Sequence, residues 1–227
     1  MHTHIQSTVY HTEKTMKNNI IFISGIDTDA GKSYATGWYA KTLMDEGNLV
    51  ATIKFIQTGQ TDGKSIDIDV HRRIMGVNLP EDAEGLTYPQ VFTYPASPQL
   101  AARIDNREID LQAIDNSINT LSERYDVVLV EGAGGLMVPV TDDFLTIDYP
   151  MTRNLPVALV TNGILGSISH TVLSLEALKQ RDIAVSHLLY NTHFDRNEVI
   201  VPDTKGFLQR YIAKHHPGCR WLEIPSL

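Results

Sequence analysis

The sequence has 227 residues, 42% of them hydrophobic and 20% charged, with a formal net charge of −8. Its apolar runs are shorter than the ~18 residues that a membrane helix requires, and its negative charge argues against broad nucleic-acid binding. The length suits one α/β domain, and the single Cys219 excludes an internal disulfide and fits a reducing cytoplasm. We therefore expect a cytoplasmic protein whose partners are small molecules rather than nucleic acid or a membrane.

The N-terminal stretch is polar and shows no hydrophobic periodicity. It lacks the apolar centre of a secretory signal. We expect residues 1–18 to be a disordered extension or a cloning remnant, and residues 19–227 to form a single domain.

From residue 19 onward, short apolar runs alternate with stretches of helix length. In chain order the predicted elements are strand 20–24, helix 32–46 ending at Gly47, strands 50–55, 126–132 and 156–162, helix 167–181, strand 183–191, helix 203–214 and strand 221–225. The first run, IIFIS, is β-branched and lacks polar alternation, which is typical of a buried parallel strand. Strands separated by helix-length segments predict an α/β fold, a parallel sheet with helices on both faces. The stretch 57–110 is less regular, and such excursions usually carry ligand contacts.

The first strand is followed by S-G-I-D-T-D-A-G-K-S at 24–33. This differs from the phosphate-loop pattern G-x-x-x-x-G-K-[ST] by one residue, because five residues separate Gly25 from Gly31. Its position between a strand and a helix favours a phosphate loop, since backbone amides and the helix start attract phosphate oxygens. Lys32 would reach the β- and γ-phosphates, and the Ser33 hydroxyl would bind Mg²⁺. The alternative is a glycine-containing turn with a surface lysine.

Two later strands end in charged residues. Lys54 begins K-F-I-Q-T-G at 54–59, and Glu131 lies in V-E-G-A-G-G at 130–135. A glutamate on a buried strand is costly without a cation, and a carboxylate at this end of a P-loop sheet is well placed for Mg²⁺. Alone, Lys54 would be interpreted as a strand-end lysine reaching water.

A fourth candidate stretch is N-G-I-L-G-S-I-S-H at 162–170, which follows the fourth strand. Gly166 and the amides of Ser167, Ile168 and Ser169 would form an anion site at a helix start. Ordinary serine capping is the alternative.

Together these motifs resemble dethiobiotin synthetase, whose loop reads G-T-D-T-x-V-G-K-T. Ile26, Ala30 and Ser33 replace the family's Thr, Val and Thr. K-F-I-Q-T-G is similar to the family's K-P-V-x-[ST]-G, with Phe55 in place of proline, and V-E-G-A-G-G matches essentially letter for letter. The resemblance spans residues 20–225.

The resemblance implies a P-loop NTPase-like fold and a ring-forming ligase of biotin biosynthesis that depends on ATP and Mg²⁺. Its substrates would be 7,8-diaminononanoate and CO₂ or bicarbonate, and its products dethiobiotin, ADP and phosphate. It also implies a homodimer with sites at the subunit interface.

The resemblance further implies roles for individual residues. Catalysis would fall to Lys32 and Lys54. Nucleotide contacts would come from Asp29, Ala30, Gly31, Lys32, Ser33, Tyr34, Glu131, Asn191 and Pro225. Substrate contacts would come from Thr28, Lys54, Thr58, Gly166, Ser167, Ile168 and Ser169. Metal ligands would be Ser33, Asp69 and Glu131. The distance to the following helix favours Asp69 as the second carboxylate ligand. Asp67 is the alternative ligand, unless it serves as the cap of that helix.

Two other classes remain as alternatives. A regulatory or partitioning ATPase of the deviant P-loop group usually carries a further lysine near the first glycine, where this loop has Ile26. An amidotransferase-type synthase would need a glutamine-cleaving module with a cysteine nucleophile, and Cys219 lies too near the C-terminus for one.

Overall fold

The computed structural model describes residues 19–226, so the predicted extension at 1–18 lies outside the described residues. The strands are β1 Ile20–Gly25, β2 Val50–Lys54, β3 Val127–Gly135, β4 Val157–Asn162, β5 Val185–Asn191 and β6 Arg220–Ile224. They form one sheet in the order β2-β3-β1-β4-β5-β6, and every neighbouring pair is parallel. The six predicted strands are confirmed, with ends that shift by one to three residues.

Helices connect these strands. They are α1 Lys32–Asp45, α2 Ile66–Met75, α3 Pro80–Ala83, α4 Pro98–Ile104, α5 Leu111–Arg124, α6 Asp148–Arg153, α7 Ser167–Lys179 and α8 Ile200–His215, with a 3-10 turn at Thr192–Phe194. None of the helices in residues 19–226 combines the length and apolarity needed to cross a membrane.

Alternation along the strands builds a hydrophobic core on each face of the sheet. In β3, Val128 and Val130 belong to one core and Leu129 to the other. The first core includes buried residues of α5, α7 and α8, whereas α1 and the end of α2 contribute to the second. Because successive side chains of a strand point to opposite faces, both faces are covered by helices. The predicted parallel sheet with helices on both faces is confirmed.

The helix α5 was not predicted, although its signal is present in the sequence. Asp110 caps it by accepting from the Ala113 amide at 2.9 Å, and Ile114, Ile118 and Leu121 are buried at helical spacing. The irregular stretch 57–110 contains α2, α3 and α4, which are short and joined by loops.

Phe55, which stands where the related motif has proline, is wholly buried just after β2. Its ring lies 4.6 Å from that of Tyr149 and 5.8 Å from that of Phe22, centroid to centroid. The residue therefore fills the core beneath the strand end that carries Lys54, and aromatic pairs of this kind add to the stability of a core.

Candidate nucleotide and metal site

The loop between β1 and α1 has the geometry of a phosphate loop despite its additional residue. Gly31 precedes α1 with φ +85°, a left-handed conformation that favours glycine, and a Cβ there would overlap Asn191 Nδ2. At Gly25 a Cβ would lie 3.0 Å from Lys32 Cγ, so glycine makes room for the stem of this lysine. The two glycines thus shape the loop and place Lys32.

Lys32 folds back over the loop. Its Nζ donates to the carbonyl oxygens of Asp27 and Thr28, both at 3.0 Å. Burial, followed by the positive charge of Lys54, lowers the pKa of Lys32 from 10.5 to about 8. An anion bound at the loop would offset both the burial of Lys32 and its repulsion from Lys54. Until a phosphate binds, the positive charge of Lys32 is therefore poorly compensated.

Lys54 and Glu131 face each other across neighbouring strands, because β2 and β3 pair in a register that sets these two residues side by side. Lys54 Nζ lies 2.8 Å from Glu131 Oε1 and 2.6 Å from Asp67 Oδ2. Burial alone would lower the pKa of Lys54, but the two carboxylates outweigh it and raise the pKa. Burial would raise the pKa of Glu131, yet Lys54 and then His71 hold it well below its usual range.

Ser33, at the start of α1, completes this cluster. Its Oγ lies 2.9 Å from Asp67 Oδ1 and also 2.9 Å from Glu131 Oε1. A hydroxyl has one hydrogen and can donate to only one of these oxygens at a time. Three oxygen atoms from α1, α2 and β3 therefore converge, which is a set of donors suited to a hard cation such as Mg²⁺.

Two carboxylates, those of Asp67 and Glu131, meet at the cluster. Within residues 19–226 there is no group of three or more His, Cys, Asp or Glu side chains that could hold a metal ion. Mg²⁺ is commonly bound by one or two carboxylates together with substrate phosphates and water, and it does not require such a group.

The structure brings Asp67, and not the expected Asp69, to this cluster. Asp69 is exposed, whereas Asp67 contacts both Ser33 and Lys54. Two residues along an α-helix turn the side chain by roughly 200°, so Asp67 and Asp69 cannot face the same site. Asp67 is not the helix cap either, because Ser65 caps α2 by accepting from the Ile68 amide at 3.2 Å.

His71 is a site residue that the sequence analysis missed. It is wholly buried on α2, and its Nε2 lies 2.6 Å from Glu131 Oε2. A signal was present, because His71 follows Asp67 by four residues and residues four apart share a helix face.

Residues that are expected to contact the nucleotide on its base side lie around the end of β5. Asn191 is buried, with Nδ2 donating to the Ala30 carbonyl at 3.3 Å and Oδ1 accepting from the His193 amide at 3.0 Å. Tyr34 donates its hydroxyl to the Pro225 carbonyl at 3.1 Å. Asn191 thus ties the end of β5 to the phosphate loop, and the C-terminal segment lies against α1.

The remaining expected substrate and nucleotide residues are spread over three places. Thr28 and Asp29 are exposed in the phosphate loop, and Thr58 is half-buried after β2. Gly166, Ser167, Ile168 and Ser169 form the start of α7, beyond the end of β4.

The start of α7 keeps features of an anion site. Gly166 has φ +99°, and the Ser167 amide already donates to the Ile164 carbonyl at 2.9 Å. Ile168 and Ser169 lie in the first turn, where amides have no acceptor within the helix. In the described part of the chain, Ser167 Oγ is buried and has no hydrogen-bond partner. Two amides and a hydroxyl therefore remain for a ligand.

Comparisons with known proteins identify similar chains. Residues 19–219 match a family described as AAA domain. The chain is 48% identical over 200 residues to the ATP-dependent dethiobiotin synthetase BioD 2 of Pasteurella multocida, covering 88% of this chain and 93% of the relative. It is 51% identical over 183 residues to the ATP-dependent dethiobiotin synthetase BioD 2 of Haemophilus influenzae, covering 80% and 95%.

A solved ParA family ATPase from Chlorobium tepidum has the same fold, with a TM-score of 0.51 over 92% of this chain and 86% of that chain. Its sequence is only 15% identical, so the likeness concerns the fold alone and does not favour the partitioning ATPase alternative. The high identity and coverage to the two synthetases decide the matter: the chain belongs to the ATP-dependent dethiobiotin synthetase family.

Proposed function

We propose that this chain converts 7,8-diaminononanoate and CO₂ to dethiobiotin, with ATP cleaved to ADP and phosphate, as a step of biotin biosynthesis in the cytoplasm. It is an ATP-dependent ligase by its family. Within the structure, one observation carries the proposal. The carboxylates of Asp67 and Glu131 each lie within 2.9 Å of both Lys54 Nζ and Ser33 Oγ, beside a phosphate loop.

The reaction joins anions, and the site concentrates positive charge where they would meet. The substrate's amine takes up CO₂ to give a carbamate, and the carbamate oxygen attacks the γ-phosphate, so two negative groups approach each other. Lys32 and Lys54 come from different strand ends and are close enough for the charge of one to lower the pKa of the other. Such fixed charges stabilise a transition state at no cost in reorganisation.

The roles of the two lysines differ by position. Lys32 lies within the loop and would hold the β- and γ-phosphates. Lys54 lies at the end of β2, beside Glu131 of β3 and Asp67 of α2, and would orient the carbamate towards the phosphate. After phosphate transfer, the substrate's second amine closes the ring and releases phosphate, a step that requires positioning rather than a covalent nucleophile.

Ser33, Asp67 and Glu131 would hold the magnesium ion. When bound, Mg²⁺ neutralises charge on the β- and γ-phosphate oxygens. Lys54 neutralises the same two carboxylates in its absence, which explains how a wholly buried Glu131 stays ionised.

The direct test supplies diaminononanoate, bicarbonate, Mg²⁺ and ATP and measures the cyclic urea product by mass spectrometry. Product is expected only when all four are present, and Lys32→Ala is expected to lower the rate by roughly 10²–10³ or more. Hydrolysis of ATP at the same rate with and without the diamine, and with no cyclic product, would contradict the proposal.

We also propose that the substrate carboxylate binds at the start of α7 of a partner subunit in a homodimer. The unpartnered Ser167 Oγ supports an anion there. Leu165 is 83% exposed and Val199 80% exposed, and both line a cavity of 280 Å³ between the starts of α7 and α8. Apolar groups so exposed are typical of a surface that another subunit covers.

Mixing two inactive variants tests whether sites are shared. One is Lys32→Ala; the other is Ser169→Glu, which places a negative charge at an exposed position of the anion site. If sites are shared, random exchange makes about half the dimers mixed, each with one intact site, so about a quarter of wild-type activity returns. If each chain builds its own site, every site of a mixed dimer carries one defect, and no activity returns after mass labelling has shown exchange.

A further inference from the structure

His71 lies on α2, outside the motifs of the phosphate loop and of the two strand ends, and its side chain is wholly buried. Its Nε2 lies 2.6 Å from Glu131 Oε2, and its Nδ1 lies 3.0 Å from Thr52 Oγ1. An ionised carboxylate only accepts hydrogen bonds, so Nε2 carries a hydrogen and donates it to Glu131. Both ring nitrogens therefore have partners.

The partner on the far side of the ring is itself fixed. Arg72 Nη1 donates to Thr52 Oγ1 at 2.7 Å, and Arg72 binds both carboxylate oxygens of Asp82 at 2.7 Å. A guanidinium cannot accept, so Arg72 is the donor and Thr52 Oγ1 the acceptor in this bond. A continuous polar chain thus runs from Asp82 on α3 to Glu131 on β3 and prevents the imidazole from rotating.

We infer that His71 is a positioning residue that determines which oxygen of Glu131 faces the cation. His71 occupies Oε2, which leaves Oε1 facing Ser33 Oγ at 2.9 Å and Lys54 Nζ at 2.8 Å. Without His71, Oε2 would be a buried acceptor with no donor, and the carboxylate would turn to share its other contacts. This inference rests on the proposed magnesium site at Glu131.

The test compares His71→Leu, which removes the donor, with His71→Gln, whose amide reaches the position of Nε2. Calorimetric titration with a non-hydrolysable ATP analogue at increasing Mg²⁺ measures the Mg²⁺ concentration at half-maximal binding. Paramagnetic resonance of Mn²⁺ counts bound metal independently of turnover. His71→Leu is expected to raise the half-maximal Mg²⁺ concentration by about tenfold or more, the usual cost of losing an outer-shell partner. His71→Gln should recover most of this loss, and neither variant should alter binding of the analogue without metal.

His187→Leu is the matched control, because His187 is also a buried histidine but lies on β5 against Tyr39. It should lower stability without changing the Mg²⁺ requirement. A wild-type Mg²⁺ requirement in His71→Leu, or equal defects in the Leu and Gln variants, would overturn the inference.

A second variant, Thr52→Val, and the Mg²⁺ dependence of wild-type nucleotide binding also test the inference. If His71→Leu does not fold, Thr52→Val removes the group that orients Nδ1, and it should raise the Mg²⁺ requirement in the same direction; no increase overturns the inference. Wild-type nucleotide binding that is indifferent to Mg²⁺ would overturn the magnesium site itself, and the inference with it.

Discussion

Replacing Lys54 with methionine should destabilise the metal-free protein. The exposed side-chain fractions are 7% for Lys54, 1% for Glu131 and 22% for Asp67. Removing one partner of a buried ion pair leaves the other charge uncompensated and typically costs about 3–5 kcal/mol. We expect the lower end of this range, about 3 kcal/mol, because His71 still donates to Glu131 and Asp67 reaches solvent.

The assay is urea unfolding followed by circular dichroism, with a chelator present and then with excess Mg²⁺. Magnesium should return part of the lost stability, since it neutralises the same carboxylates. The double variant Lys54→Met with Glu131→Gln should be less destabilised than the sum of the single changes, because the buried charge has been removed as well.

Lys41→Met is the matched control. Lys41 pairs with Asp45 at 3.3 Å on the surface of α1, with exposed fractions of 49% and 66%. Such exposed pairs contribute about 0.5 kcal/mol. A cost for Lys54→Met within about 1 kcal/mol of this control would refute the view that Lys54 compensates a buried carboxylate.

Three further predictions concern single positions. Asp67→Asn should raise the Mg²⁺ concentration for half-maximal turnover, and Asp69→Asn should not; the opposite result would restore Asp69 as the ligand. Gly31→Ala should lower both the melting temperature and nucleotide affinity, because φ is +85° and a Cβ would overlap the side-chain amide of Asn191. Gly47→Ala is the control: φ is +94° but a Cβ would meet open space, so this variant should impose only backbone strain and leave nucleotide affinity unchanged. Equal nucleotide affinity in these two variants would contradict the reasoning. Burial and then Arg220 lower the pKa of His187 from 6.5 to about 4, so the unfolded chain binds more protons and stability falls as the pH drops through this window. In urea unfolding, His187→Gln should therefore lose less stability than wild type between pH 7 and pH 4, and an equal loss would show that His187 is solvated.

The sequence by itself determined the sheet and the phosphate loop. Runs such as IIFI and VVLV are apolar along their whole length, and only a strand covered on both faces hides all of those side chains. The loop was recognisable because its glycines, lysine and serine are neighbours in the chain and the chemistry is local. The sequence also specifies helix α5, through its apolar spacing and its aspartate cap.

The tertiary structure decided which groups meet. Asp67 and Asp69 are both acidic and only two positions apart, and the choice depends on how α2 is rotated against β2 and β3. Packing sets that rotation, since Ile68 and Met75 lie on the buried face of α2. His71 and Thr52 are distant from Glu131 in sequence, and their contact exists only because α2 lies over these two strands. The spacing of residues in the sequence specifies which helix or strand a side chain belongs to. The direction in which that side chain points follows from the contacts that the folded chain makes.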